Sequence, residues 1–359
     1  MFKKLCRASC TYVVVCWALV ALCPALGYAQ LDVRSAILMD MDTGQVLFEQ
    51  NADTPIPPAS LTKILSMYVI MDRIANKQFA LDDMVKVSKT AANTGGSRMH
   101  LKAYERVSMD TLLMGMAVSS GNDASEALAE YVGGSQENFV RMMNDKARSV
   151  GMNSSFFANP HGLPAAGQVT TARDMLSLSY KYLSSFPDAL RYHSTRFMKH
   201  NGVVSYNKNP LLGNYKGADG LKTGWVNASG YNLISTASQD NSRLLAVVLG
   251  AENTKTRAQE IHRLMEAGFM LKRNQVSSIP DALRFMPPRH FALNLDNTKR
   301  DAYATLAPEV LKQGKASAHK KNLKASKNRR HAQKAAKRSQ AHKKSKKDTR
   351  QASLHRKNS

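Results

Sequence analysis

Three short clusters in this 359-residue chain carry side chains able to act on one another. The first is Pro57-Pro-Ala-Ser60-Leu-Thr-Lys63, which runs directly into the apolar stretch ILSMYVIM. On a helix, positions i and i+3 share a face, so the Ser60 hydroxyl and the Lys63 amine come within hydrogen-bonding reach. Burial disfavours the charged form of lysine, and an amine without its extra proton can accept the proton of a serine. The chemistry on offer is attack by Ser60 with Lys63 as general base. The spacing alone is cheap, because Ser317 and Lys320 match it with no apolar run around them. A lysine that snorkels to solvent accounts for a lone match equally well.

Two further clusters change that balance. Ser120-Gly121-Asn122 falls in a break between two helical patterns, where its side chains can point into a cleft. Lys222-Thr223-Gly224 occurs once, within a predicted strand, and its glycine leaves room for a ligand backbone beside that strand. Two lysines converging on one pocket would depress each other's pKa, which helps keep Lys63 neutral.

The elements that must hold these clusters are legible in outline. Ser35 to Asp40 and Gly44 to Glu49 flank an Asp42-Thr43-Gly44 turn signal and read as a β-hairpin. The run after Lys63 is apolar nearly all round, which predicts a buried helix. Met109 to Val118 and the segment around Ala124 to Val132, stopped by Gly133-Gly134, read as helices in a mostly helical middle, 108 to 190. From Gly220 the texture becomes LKTGWV, YNLISTA and RLLAVVLGA, joined by short polar turns, an antiparallel meander. A last helix over Lys255 to Leu271 should pack on that sheet. The hairpin needs partner strands and the meander needs neighbours, so the expected class is α+β, with one antiparallel sheet built from both chain ends and a helical subdomain inserted between.

The two ends of the chain differ from this middle. Residues 1–29 combine Lys3, Lys4 and Arg7 with an uncharged apolar run and small residues at Gly27 and Ala29, the pattern of a cleavable secretory signal. The expected location is therefore outside the cytoplasm, in the periplasm or the extracytoplasmic envelope. All four cysteines lie in that segment, so the remainder has no disulfide, thiol nucleophile or cysteine metal site. Residues 312–359 hold 18 Lys and Arg against one acid, Asp348, and the first 29 residues add three cations, so 30–311 keep only +4 of the overall +24. Such a basic, apolar-poor segment is expected to be disordered. It suits electrostatic contact with an anionic envelope surface, and it lacks the interleaved aromatics that specific nucleic-acid binding would use. The histidines show no ligand spacing, so neither metal nor cofactor is expected. The expected organisation is a signal over 1–29, a catalytic domain over 30–274, a partly ordered extension over 275–311 and the basic tail over 312–359.

The order SxxK, SxN, KTG, each on the element type it requires, resembles the penicillin-recognising serine acyltransferases. The runs PASLTKI, SSGNDAS, Phe157-Ala-Asn-Pro-His-Gly-Leu163, Thr171-Ala-Arg-Asp174 and Asp219-Gly-Leu-Lys-Thr-Gly224 narrow the resemblance to the D-alanyl-D-alanine carboxypeptidases, over roughly residues 30–272. That resemblance implies a β-lactamase-like fold and removal of terminal D-alanine from a peptidoglycan stem peptide, with β-lactam antibiotics as covalent inhibitors. It implies Ser60 as acylated nucleophile, Lys63 as its base, and Ser120 as a proton relay between Lys222 and the leaving amine. Asn122 would hold the substrate amide, Lys222 and Thr223 the terminal carboxylate, and Arg257 would lie near that carboxylate. The main-chain N–H groups of Ser60 and Trp225, beside Gly224, would form the oxyanion hole. His161, Arg173 and Asp174 read as structural residues, the last two as an ion pair or cap.

Three other readings compete. A class A β-lactamase needs a glutamate in a Glu-x-x-x-Asn context after the SxN motif, and Glu126, Glu130 and Glu137 each lack that asparagine. A D,D-endopeptidase would share every motif and cut cross-links instead. A non-enzymatic polyanion binder would rest on the tail alone.

Overall fold

The computed structural model describes residues 30–286. The expected signal, the basic tail and most of the expected extension lie outside the described residues. Strands β1 (Ser35–Asp40) and β2 (Val46–Gln50) form the N-terminal hairpin, closed by Gly44 in the left-handed region, where a β-carbon is unfavourable. A short 3-10 turn (Ala59–Leu61) then leads into helix α1 (Thr62–Ala75), in which every residue from Thr62 to Ile70 is buried.

The inserted region follows as β3 (Met84–Lys86), α2 (Lys89–Asn93), β4 (Arg106–Ser108), α3 (Met109–Val118), α4 (Asn122–Gly133) and α5 (Gln136–Ser149). It continues through α6 (Ala172–Ser185), α7 (Leu190–His193), β5 (Phe197–His200) and β6 (Val203–Tyr206). Side-chain caps start several of these helices: Ser108 accepts from the Thr111 N–H, Ser135 from Asn138 and Thr171 from Asp174. The meander appears as β7 (Ala218–Val226), β8 (Gly230–Gln239) and β9 (Ser242–Ala251), and α8 (Thr254–Lys272) and α9 (Ile279–Phe285) complete the described chain.

One five-stranded antiparallel sheet, in the order β2-β1-β9-β8-β7, joins the two parts of the chain. Its hinge is the β1–β9 pairing, with Ile37 opposite Val247 and Leu38 opposite Ala246. Both faces are covered. Leu244, Ala246 and Val248 pack with Leu38, Ile261, Leu264 and Phe269 under α8, and Leu245, Val247 and Leu249 point into the helical half. This double burial is why RLLAVVLGA reads as an unbroken apolar run despite the two-residue period of a strand. The helical half centres on α1, which packs against α4, α5 and α6. No helix among the described residues is long and apolar enough to cross a membrane.

Three features depart from the expectations. The short hairpins β3–β4 and β5–β6, which flank the helical middle on either side, were not expected. Helix α9 lies inside the segment read as a partly ordered extension; at seven residues it is too short to show a period, and its Ile279, Ala282 and Leu283 join the core under α8. Arg173 and Asp174 do not pair with each other. Arg173 takes Asp53 in a two-pronged contact at 2.8 and 2.9 Å, whereas Asp174 accepts from Ser154 N–H and Ser155 Oγ.

Candidate active site

The site is assembled where the 3-10 turn, the start of α4 and strand β7 meet. Ala59 adopts φ +49°, in the left-handed region that costs a non-glycine residue free energy, and the turn it bends is locked by Thr62 Oγ1 donating to Ala59 O at 2.8 Å. The result presents Ser60 at a half-exposed position and sends Lys63 into the interior, where its side chain is 0% exposed.

Lys63 Nζ lies 2.6 Å from Asn122 Oδ1, 2.6 Å from His161 O and 3.2 Å from Ser60 Oγ. Burial holds its pKa well below the ordinary lysine value, and the nearby cations Lys222 and Lys208 push it down further. A neutral amine has two N–H groups and one lone pair. The two short contacts end on carbonyl oxygens, which can only accept, so they take both N–H groups. In that neutral form the lone pair would be left for the Ser60 hydroxyl, the arrangement a general base requires.

Asn122 opens α4 directly after Ser120, which also sits in the left-handed region at φ +57°. The Asn122 amide nitrogen donates to Gly95 O at 2.6 Å and its main-chain N–H to Ser97 O at 2.7 Å. Asp123 then ties down the same loop, with its carboxylate accepting from the N–H groups of Met99 and Leu101. Asn122 is thus a strut that seats Lys63, a part not foreseen from its motif. Ser120 is buried and its side chain makes no hydrogen bond among the described residues.

On β7, Lys222 is buried and its Nζ donates to Thr223 O at 3.1 Å. Burial, Lys208 and Arg257 together bring its pKa down to about 7. A β-carbon on Gly224 would stand 3.2 Å from the Ala59 side chain and 3.3 Å from Leu61. The glycine therefore makes room for the turn that carries Ser60. Gly162 plays a matching part from the other side, because a β-carbon there would fall 1.8 Å from Ala59 O. Trp225 is 55% exposed at the rim and stacks on Tyr231, over which the Arg257 guanidinium lies at 6.0 Å. Arg257 is buried and its pKa falls to about 10, so it keeps its charge at neutral pH.

Sequence reasoning missed Lys208, whose Nζ donates to Ser97 Oγ at 2.9 Å and whose charge depresses both Lys63 and Lys222. It lies in a loop after β6 with no pattern around it, so nothing local marked it. His161 was read as structural, and its main-chain carbonyl proves to be a direct partner of Lys63. Lys208, Lys222 and Arg257 make one basic pocket around Lys63 and Ser60. Such a pocket can acylate Ser60 with a substrate that carries a carboxylate beside its reacting carbonyl.

Comparison with known proteins agrees with this chemistry. The family profile described as D-alanyl-D-alanine carboxypeptidase, peptidase S11, matches residues 24–253. D-alanyl-D-alanine carboxypeptidase DacC of Escherichia coli is 40% identical over 259 residues, covering 70% of this chain and 65% of that protein. DacF of Bacillus subtilis is 35% identical over 256 residues, covering 68% of this chain and 66% of its own length. The chain thus spans a little under two thirds of these relatives. Among solved structures, penicillin binding protein 6B from Escherichia coli is 38% identical, with a TM-score of 0.64 over 66% of this chain and 77% of that one. Penicillin-Binding Protein D2 from Listeria monocytogenes in its cefotaxime-bound form is 30% identical, with a TM-score of 0.62 over 67% of this chain and 98% of that one. The fold is that of the penicillin-binding proteins, and the chain belongs to the D-alanyl-D-alanine carboxypeptidase family.

Proposed function

We propose that this protein is a serine D-alanyl-D-alanine carboxypeptidase, which removes the terminal D-alanine of a peptidoglycan stem peptide through an acyl-enzyme on Ser60. The observation that carries the reading is the seating of Lys63, whose Nζ lies 2.6 Å from both the Asn122 Oδ1 and His161 O acceptors and 3.2 Å from Ser60 Oγ. In this mechanism Lys63 accepts the Ser60 proton as the hydroxyl attacks the carbonyl of the scissile bond. The oxyanion that forms is held by the N–H groups of Ser60 and Trp225, and Lys222, Thr223 and Arg257 hold the terminal carboxylate. Ser120 passes a proton to the leaving D-alanine amine, and water then releases the acyl group from Ser60. Gly224 and Asn122 fix the distances between these parts.

A β-lactam presents the same carbonyl and carboxylate, so it acylates Ser60 and leaves slowly. Mass spectrometry after penicillin treatment tests this: the penicilloyl adduct is expected on the wild type and absent from Ser60→Ala. Wild type without an adduct, or a variant that keeps it, would remove Ser60 from its role. Digesting a pentapeptide monomer beside a cross-linked dimer distinguishes carboxypeptidase from endopeptidase, and the expected product is the tetrapeptide lacking one D-alanine. Rapid nitrocefin turnover without a lasting adduct would instead mark a β-lactamase. The protein is expected to act outside the cytoplasm, with the basic residues 312–359 adding salt-sensitive attachment to an anionic envelope surface.

A further inference from the structure

We propose that Glu126 is a positioning residue for Lys63, acting through the imidazole of His161; the proposal rests on the reading of Ser60 and Lys63 given above. Glu126 Oε2 lies 3.6 Å from His161 Nε2, with both side chains buried. The main-chain carbonyl of the same histidine takes one N–H of Lys63 at 2.6 Å. Leu163 N–H donates to His161 Nδ1 at 3.2 Å, so Nδ1 is an acceptor and the proton of the neutral ring sits on Nε2, directed at Glu126. Glu126 Oε2 is buried and has no hydrogen-bond partner among the described residues, so it is free to draw that N–H.

The histidine loop has little freedom to absorb a movement of the ring. Pro160 O accepts from Ser66 Oγ at 2.6 Å and from Ser125 Oγ at 2.7 Å, Asn159 Oδ1 accepts from Gly162 N–H at 2.7 Å, and Gly162 lies against Ala59 O. A change at the ring is therefore passed to the carbonyl that seats Lys63. Helix α4 supplies both controls, because Asn122 and Glu126 are one turn apart. Asn122 takes the first N–H of Lys63, and Glu126 orients the acceptor of the second.

Glu126 is also open to the pH of the medium. A cavity of about 490 Å³ reaches it and His161 between Lys89, Asn93, Thr94 and Gln136. The charged groups facing the carboxyl are Glu130 on its own helix, Glu137 on α5, Lys89 on α2 and His161, with Lys63 behind the histidine. Burial first, then Glu130 and Glu137, raise Glu126 to about 7. Burial and the neighbouring Lys63 bring His161 down to about 3, so the ring stays neutral and the carboxyl is the member of the pair that titrates. Above its pKa, Glu126 is an anion that attracts Nε2–H across 3.6 Å; below it, the neutral acid holds the ring less firmly and Lys63 loses its seat.

The test is the second-order acylation rate with a fluorescent penicillin from pH 5.5 to 9, for wild type, E126Q and E126V. At pH 8, E126V, which offers no acceptor, should acylate about tenfold more slowly. E126Q keeps an acceptor of the same shape and should stay within about threefold of wild type, with a less steep acid limb because one titrating group is gone. Both variants acylating like wild type at every pH would overturn the proposal. So would an equal loss in both, or a wild-type acid limb in E126Q. Failure of the wild type itself to acylate would instead count against the reading of Ser60 and Lys63, which keeps the two questions separate.

Discussion

Arg257 and Arg263 lie on the same helix, α8, and are both buried, yet their surroundings differ completely. Arg263 donates to Glu260 at 2.6 Å, to Met286 O at 2.6 Å and to Leu283 O at 3.1 Å. It clamps the end of α9 with its charge and donors satisfied. Arg257 faces the catalytic cleft, has the face of Tyr231 for company, and its Nε finds no hydrogen-bond partner among the described residues. The fold can therefore satisfy a buried guanidinium when it has carboxylates and free carbonyls to offer. At the cleft it gathers Lys208, Lys222 and Arg257 around Lys63, with only Asp123 acting against the neighbouring cations on Lys63. A buried charge left short of partners is a capacity to bind an anion, which suits the carboxylate-holding role proposed for Arg257.

The sharpest way to break this contrast is to place a permanent charge where the cleft needs a neutral amine. Lys63→Arg puts a guanidinium that cannot lose its proton beside Ser60, and acylation by penicillin should fall by about 10³–10⁴-fold. Next in size is the satisfied side. Arg263→Ala leaves Glu260 buried without its cation and strips two carbonyls of their donor, at a cost of about 3–5 kcal/mol. Chemical denaturation should read that loss, while the folded fraction acylates as before; pairing it with Glu260→Met should recover most of the stability.

A smaller effect separates the cations from one another. Lys208 depresses both Lys63 and Lys222. Lys208→Gln should raise both pKa values, so more alkaline solution is needed to free the Lys63 amine, and the acid limb of acylation should move up by about half a pH unit. The smallest effect concerns stability. The raised pKa of Glu126, about 7 against an ordinary 4.5, means that its stabilising contribution is complete below pH 4.5 and is lost as pH rises through 7. E126Q should therefore melt with the wild type at pH 4.5 and about 2–4 °C above it at pH 8.

How much of this was readable in advance depended on whether the signal was local. The meander, the hairpin and the buried α1 were legible because double burial, turn residues and an all-round apolar helix leave continuous patterns. Ser60, Lys63, Ser120, Asn122 and Lys222 were legible as motifs, since each cluster is a few consecutive residues. The partners of Lys63 were not. His161 O is a main-chain atom that any residue type could supply, and Lys208 reaches the site from a loop 145 positions after Lys63. Gly224 was noticed but its packing on Ala59 and Leu61 was not, because a strand's sequence does not say which face another element will crowd. Helix α9 and the two short hairpins carried too few residues to display a period.

The pairing of β1 with β9 also sets a clock. Ile37 leaves the ribosome 210 residues before its partner Val247, an interval of roughly 10–40 s at ordinary rates of synthesis. For all that time the first hairpin has an open flank, and the helix bearing Ser60 and Lys63 has no sheet to rest on. Lys222, Arg257 and the wall beneath them arrive last, so no partial chain holds a working pocket. The turn that carries Ser60 is made early, and the sheet it packs against is completed late.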